Sequence, residues 1–151
     1  MSEKWLFFMV FFLLFPTGAC LGADWNLIIL TTSNLNGQLE PFNSPVFKDG
    51  NKVDQIVGGA ARLAWTIQGA RKKFPDKTLL VSVGDDFAGS FFVYEHGKPI
   101  ADFLNRAGYE AAALGNREFD YGEAYLSETI RNCNFPYVVS NLAVAPGGAL
   151  D

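Results

Sequence analysis

The sequence predicts an α/β fold built on a mainly parallel sheet, and two patterns lead to that prediction. Short apolar runs rich in Val, Ile and Leu alternate with stretches in which apolar residues recur every three or four positions. The order is strand, helix, strand, helix, strand, helix, strand, which is typical of parallel strands joined by right-handed crossovers. The chain is 49% hydrophobic, which is enough for one packed core.

The predicted strands are short and largely apolar, as expected for strands buried in a parallel sheet. The first is followed by a segment at 40–57 that predicts a long surface loop, because it contains Pro41, Asn43, Pro45, Asp49, Gly50 and Asn51. The strands are predicted at 26–32, 78–83, 111–114 and 137–140.

The predicted helices each carry their apolar residues on one face. The residues at its two ends support the second predicted helix, because Pro99 lies where the helix begins and Gly108 follows its end. The apolar faces comprise Leu63, Ile67, Ala70 and Phe74 in the first helix, Ile100, Phe103, Leu104 and Ala107 in the second, and Leu126 and Ile130 in the third.

Residues 1–23 are predicted to be an export signal and not part of the fold. Lys4 precedes an apolar run at 5–15, and small residues follow that run. The 11-residue run is too short to cross a bilayer as a helix. Cleavage would release 24–151 into the periplasm or the extracellular space. Retention of the segment, or lipidation of Cys20, would instead attach the protein to a membrane.

The charge of the chain argues against one class of partner. The net charge is −4, with 12 Lys and Arg residues and no run of basic side chains. Proteins that bind DNA or RNA neutralise many phosphates with such side chains. Nucleic acid polymers are therefore not expected as partners.

Polar residues and glycines follow every predicted strand. In an open parallel sheet, ligands bind at the carboxyl ends of the strands, so these segments are the first candidates for a site. Short polar side chains and glycines let oxygen ligands converge on one point, as a divalent metal cluster requires. The segments are 33–37, 84–90, 115–122 and Asn141.

These segments, in this order, resemble the N-terminal metallophosphatase domain of the 5′-nucleotidase family, within the calcineurin-like metallophosphoesterases. The likeness extends from 25 to 141 and includes Gly-Gly-Ala-Ala-Arg-Leu-Ala at 58–64, Gly-Lys-Pro at 97–99 and Phe-Pro at 135–136. The resemblance implies a four-layer αββα metallophosphoesterase sandwich, of which this chain is the N-terminal half. It also implies a two-metal site that hydrolyses nucleotides or other small phosphate monoesters with a metal-activated water.

Three residues match the site of that family. The resemblance assigns Asp85 to the carboxylate that bridges the metals and Asn116 to an amide ligand. Asp120 matches the acidic partner of the family's catalytic histidine. The remaining ligands of the family, mostly histidines, come from later parts of the domain, so we expect this chain alone not to complete a two-metal centre.

Three other positions depart from the family pattern. Asn34 stands where Asp is expected and Asn36 where His is expected, which weakens the first metal position because an amide brings no charge. Divalent ions that prefer oxygen ligands, Mg²⁺, Mn²⁺ or Ca²⁺, should be tolerated better than Zn²⁺. Arg117 replaces the catalytic His and cannot serve as a general acid near neutral pH, but held by Asp120 it could clamp a phosphate.

Structural roles stay open beside these functional ones. Turn formation by Asn34 and Asn36 and an ordinary salt bridge from Arg117 explain those residues equally well. Asp86 is expected to be a solvated turn residue more than a residue that supports the metal ligands. The single histidine, His96, is expected to be a solvated loop residue more than a contact at the rim of the site. Loop and core packing, more than base stacking, is expected of Phe87, Phe91, Phe92, Phe119 and Tyr121.

The three departures also leave other functions open. A binding protein that has lost catalysis could use the same scaffold, and a hydrolase of sulfur-containing esters is a further alternative. The sequence therefore predicts an exported, metal-dependent phosphoesterase whose activity is reduced by Asn34, Asn36 and Arg117.

Overall fold

The computed structural model describes residues 26–89 and 94–151. The predicted export signal at 1–23, and with it Cys20, lies outside these residues, as do Phe91 and Phe92. The elements in chain order are β1 (Ile28–Thr32), β2 (Phe42–Lys48), β3 (Asn51–Val57), α1 (Ala60–Lys73), β4 (Thr78–Ser82), α2 (Lys98–Ala107), β5 (Ala111–Ala112), a 3₁₀ turn (Arg117–Phe119) and α3 (Glu123–Arg131).

The main sheet is parallel, as predicted. Its strand order is β1-β4-β5, and Tyr137 adds a further parallel bridge beside Ala112. Each connection therefore moves one position in the same direction across the sheet. Right-handed crossovers in one direction place their helices on one face. The predicted fold class is confirmed by this arrangement.

The core lies between that face of the sheet and the helices. Ile67 of α1 and Leu104 of α2 are buried together with Leu80 of β4 and Ala112 of β5. The opposite face stays open, since Ile29 of β1 is 57% exposed. The predicted apolar faces of α1 and α2 are thus the faces that pack on the sheet.

The segment at 40–57, predicted to be a surface loop, is instead an antiparallel hairpin of β2 and β3. Asp49 and Gly50 form its turn, and both have positive φ, of 51° and 80°. An Asp-Gly pair is a strong signal for a hairpin turn because such turns need positive φ at both central residues. The strands are mostly exposed, so the alternation that usually reveals a strand is missing.

The last two predicted strands are shorter than expected. Only Ala111 and Ala112 form β5, although the N–H of Ala113 still donates to the carbonyl of Ser82. The fourth predicted strand is reduced to the bridge between Tyr137 and Ala112. In 26–89 and 94–151, no helix has both the length and the apolar character needed to cross a bilayer.

Candidate active site

The loops after β1 and β4 run side by side at the carboxyl ends of the strands. The N–H of Asn34 donates to the carbonyl of Gly84 over 3.0 Å, and that of Asn36 donates to the carbonyl of Asp85 over 2.9 Å. These bonds continue the pairing of the strands into the loops. The first loop is therefore fixed against the loop that carries Asp85.

The loop after β5 joins the same group. The backbone N–H of Arg117 donates to Oδ1 of Asp85 over 2.9 Å. A Cβ on Gly115 would lie 2.3 Å from that oxygen, so only glycine lets the two loops approach this closely. Asp85 is half-buried and Asn116 is exposed, so both border solvent. The structure thus brings the loops of Asp85 and Asn116 together, while Asn141 is exposed after the fourth strand segment.

Three of the four predicted ligands adopt a left-handed backbone. The φ angles are 55° at Asn34, 47° at Asn36 and 60° at Asp85. Asn and Asp tolerate this conformation better than other residues with a side chain, and such strain collects at functional sites. Asn36 does form a turn, closed by the bond from the N–H of Gln38 to the carbonyl of Leu35, and its side-chain N–H donates to the carbonyl of Asn34 over 3.1 Å.

Arg117 and Asp120 form an ion pair across the 3₁₀ turn. Nη1 of Arg117 lies 3.2 Å from Oδ2 of Asp120, and the two side chains are 54% and 38% exposed. A pair this exposed contributes about 1 kcal/mol or less to folding. A guanidinium has five N–H donors, so the pair leaves donors that can bind an anion. That role for the pair stays a prediction.

Asp86 is buried, which contradicts the prediction of a solvated turn residue. It is 1% exposed, and its Oδ2 accepts a hydrogen bond from the hydroxyl of Ser82. Its Oδ1 has no hydrogen-bond partner among the residues that the structure describes. Burial raises the pKa of Asp86 to about 7, and the nearby charges of Glu118 and Asp85 add to the increase. The left-handed turn at Asp85 places residue 86 on the buried side.

Glu118 is the residue of this site that the sequence did not single out. It is 1% exposed, and its carboxylate accepts hydrogen bonds from backbone N–H groups of both neighbouring loops. One sequence offers little signal for this role, because most loop glutamates are solvated. The only hint is the position of Glu118 inside the polar segment that also carries Asn116.

The donor set at the loops is rich in amides and poor in carboxylates. Asp85 is the one acidic residue among the four predicted ligands, and the others are Asn34, Asn36 and Asn116. Within the described ranges, no group of three or more His, Cys, Asp or Glu side chains is placed to hold a metal ion. Four oxygen donors suit part of the shell of Mg²⁺, Mn²⁺ or Ca²⁺. By their chemistry, these four donors fit part of one such site, and they do not by themselves supply the ligands of a two-metal centre.

Two other predictions concern the histidine and the aromatic residues. His96 is exposed as expected; its Nδ1 lies 3.2 Å from Oε2 of Glu128, and its ring stacks on Tyr125. Phe87 is fully buried in the core, whereas Phe119 and Tyr121 are 39% and 43% exposed.

Comparison with known proteins gives consistent results, although no protein-family model matches the chain. The 5′-nucleotidase of Rattus norvegicus is 38% identical over 146 residues, covering 93% of this chain and 24% of that protein. The NAD nucleotidase of Haemophilus influenzae superposes with a TM-score of 0.70 at 26% identity, over 74% of this chain and 20% of that one. The calcineurin-like phosphoesterase YfkN of Bacillus subtilis gives 0.57 at 31% identity, over 74% of this chain and 36% of that one. The chain spans between a fifth and a quarter of the length of the curated relatives that it matches.

Proposed function

Since the chain is related to the 5′-nucleotidases over most of its length and has the fold of their N-terminal metallophosphoesterase domain, we propose that the protein hydrolyses phosphate monoesters of nucleotides. The observation that carries the proposal is the hydrogen bond from the Arg117 amide to Asp85. It brings a carboxylate, an amide side chain and a guanidinium to one solvent-facing edge of the sheet.

Asp85 and Asn116 are the residues proposed to hold a divalent cation. Asn34 and Asn36 would act as substitute ligands, since their loop is fixed to the loop of Asp85. When bound, the cation would polarise the phosphate and lower the pKa of the attacking water. An ion that prefers oxygen ligands, Mg²⁺, Mn²⁺ or Ca²⁺, suits this donor set better than Zn²⁺.

Arg117 is proposed to bind the phosphate. Its guanidinium carries a permanent charge and parallel N–H donors, which match the oxygens of a phosphate. Asp120 would orient it through the 3.2 Å ion pair. Because Arg117 cannot release a proton near neutral pH, the leaving group receives no general acid from this position. The typical cost is about 10²–10⁴-fold in rate, so we propose slow turnover.

We also propose that residues 1–23 direct the protein out of the cytoplasm and that 24–151 form part of the exported enzyme. This rests on the basic and apolar order of the first segment. The substrate would then be a nucleotide in the periplasm or outside the cell.

A binding protein without catalysis is the second candidate. It is favoured by the donor set itself, in which Asp85 is the only carboxylate among the four predicted ligands. Such a protein would bind a nucleotide or phosphate through Arg117 and release it unchanged.

Phosphate release from nucleoside monophosphates by the full-length protein separates the two candidates. The assay is run with Mg²⁺, Mn²⁺, Ca²⁺ or Zn²⁺, and with sulfate esters as a parallel substrate class. The matched variant restores the family residues by combining Asn34→Asp, Asn36→His and Arg117→His. An active parent that loses activity in this variant supports an adapted enzyme. An inactive parent that gains activity supports the binding protein.

A further inference from the structure

The carboxylate of Glu118 connects the second loop (84–90, after β4) to the third loop (115–122, after β5). It is 1% exposed and accepts four backbone hydrogen bonds. The backbone N–H groups of Asp85 and Gly115 donate to Oε2 over 3.0 Å and 2.8 Å. Those of Asp86 and Phe87 donate to Oε1 over 2.6 Å and 3.3 Å. A carboxylate offers about four acceptor positions, so these four N–H groups use all of them.

The arrangement of the donors resembles an anion-binding loop. The N–H groups of residues 85–87 are consecutive and converge on one carboxylate, as consecutive N–H groups do when a loop binds a phosphate or another anion. Here the bound anion is a side chain of the protein. The loop is therefore held in the conformation of a liganded loop.

Each of the two loops also supplies a carboxylate that binds the backbone of the other loop. Glu118 in the third loop accepts a hydrogen bond from the backbone N–H of Asp85, while Asp85 in the second loop accepts one from the backbone N–H of Arg117. The backbone of Asp85 has a φ of 60°, a conformation that persists only where the surroundings hold it in place. The carboxylate of Glu118 supplies that support, so it determines where the side chain of Asp85 lies relative to Asn116.

We propose that Glu118 is a positioning residue for the hydrolysis proposed above. It acts through Asp85 and Asn116 and does not touch the phosphate or the cation. The inference rests on the proposed function, because it assumes that these two residues hold a divalent cation.

The Glu118→Gln variant tests this role with little change in size. Each oxygen of Glu118 accepts two backbone N–H groups, so in either orientation the new amide NH₂ faces two donors. The Glu118→Asp variant keeps the carboxylate but is shorter by one methylene, and it reaches fewer of the four amides. It provides a milder change in case Glu118→Gln does not fold.

Mn²⁺ alone is the probe, titrated into the full-length protein and followed by the electron paramagnetic resonance of the free ion. Residues that orient metal ligands typically change metal affinity by about 10–100-fold when they are replaced. We expect a loss in that range for Glu118→Gln and a smaller loss for Glu118→Asp. Amide hydrogen exchange should accelerate at Asp85 and Gly115 in both variants.

Leu126→Ala is the control for lost stability. Leu126 is fully buried in α3, and its truncation weakens the core without changing the hydrogen bonds of the loops. The Leu126→Ala variant should bind Mn²⁺ as tightly as the wild type, although it should lose about as much thermal stability as the Glu118 variants.

The outcomes are distinct. Unchanged Mn²⁺ affinity in a folded Glu118→Gln variant, or an equal loss in Leu126→Ala, overturns the positioning role and leaves the proposed function intact. Failure of the wild type to bind Mn²⁺ overturns the proposed metal site, and the positioning role with it.

Discussion

The backbone N–H of Arg117 donates to Oδ1 of Asp85 over 2.9 Å, while the guanidinium of the same arginine pairs with Asp120 over 3.2 Å. One residue is thus fixed at its backbone by a candidate metal ligand and at its side chain by a neighbouring acid. The hydrogen bond orients the Asp85 carboxylate, and the ion pair orients the guanidinium. The proposed cation site and the proposed phosphate site are therefore linked through one residue, Arg117.

Replacing Asp85 by Asn should strongly reduce activity with little loss of stability. The amide keeps an oxygen that can accept the Arg117 N–H, but the negative charge that attracts a cation is lost. We expect kcat/KM for nucleoside monophosphates to fall on the order of 10²–10³-fold, as when other single electrostatic groups are removed from active sites. Phosphate release and thermal unfolding are the measurements.

Asp102→Asn is the matched control, since Asp102 is exposed on α2. It makes the same chemical change away from the loops, so activity and stability should both stay at wild-type values. Full activity in Asp85→Asn would show that Asp85 holds no essential cation.

Arg117→Ala should weaken phosphate binding while the protein stays as stable as the wild type within about 1 kcal/mol, because the ion pair is exposed. Arg117→Lys keeps the charge but loses the paired donors, and its defect should be intermediate. The inhibition constant for inorganic phosphate reports binding directly. Arg106→Ala, an exposed change on α2, is the control. Equal inhibition of wild type and Arg117→Ala would exclude this residue from phosphate binding.

Much of the fold could be predicted because its signals are local. Apolar spacing located the helices, and Gly108 ends α2 with a left-handed φ of 77°. The parallel order followed from the crossover rule. The hairpin was missed because its strands are exposed on both faces, although its turn at Asp49 and Gly50 carried the signal.

The candidate site was only partly predictable, for a different reason. Asp85 and Asn116 each follow a predicted parallel strand, so both are expected at the same edge of the sheet. The burial of Asp86 and Glu118 depends instead on a left-handed turn and on amides more than 30 positions away in the chain. A single sequence does not show which backbone groups will surround an acidic side chain.

Cys133 should react slowly with alkylating reagents in the native protein. Burial raises the pKa of its thiol from 9.0 to about 11, and its Sγ lies 3.8 Å from the hydroxyl of Tyr137. Since the thiolate is the reactive form, alkylation by iodoacetamide at pH 8 should be about 100-fold slower than in urea. Mass spectrometry of the peptide that contains Cys133 measures both rates. Equal rates would contradict the raised pKa of this partly buried thiol.

The contribution of Asp86 to stability should fall as the pH rises from about 4 to 7. Its pKa is about 7 in the folded protein and near the ordinary value of 3.8 when unfolded. Between these values the folded state retains a proton that the unfolded state releases, so the stabilising contribution is complete below pH 4 and is lost towards pH 7. The loss is on the order of 4 kcal/mol. Urea unfolding with a chelator present measures it.

The Asp86→Asn variant isolates this contribution. An amide at this position has no charge to bury, so the variant should be more stable than the wild type at pH 8 and should lose less stability between pH 4 and 7. Asp102→Asn, which changes an exposed carboxylate, should keep the wild-type dependence on pH. If Asp86→Asn were less stable than the wild type at pH 8, the Asp86 carboxylate would have to be stabilised there by contacts that outweigh its burial.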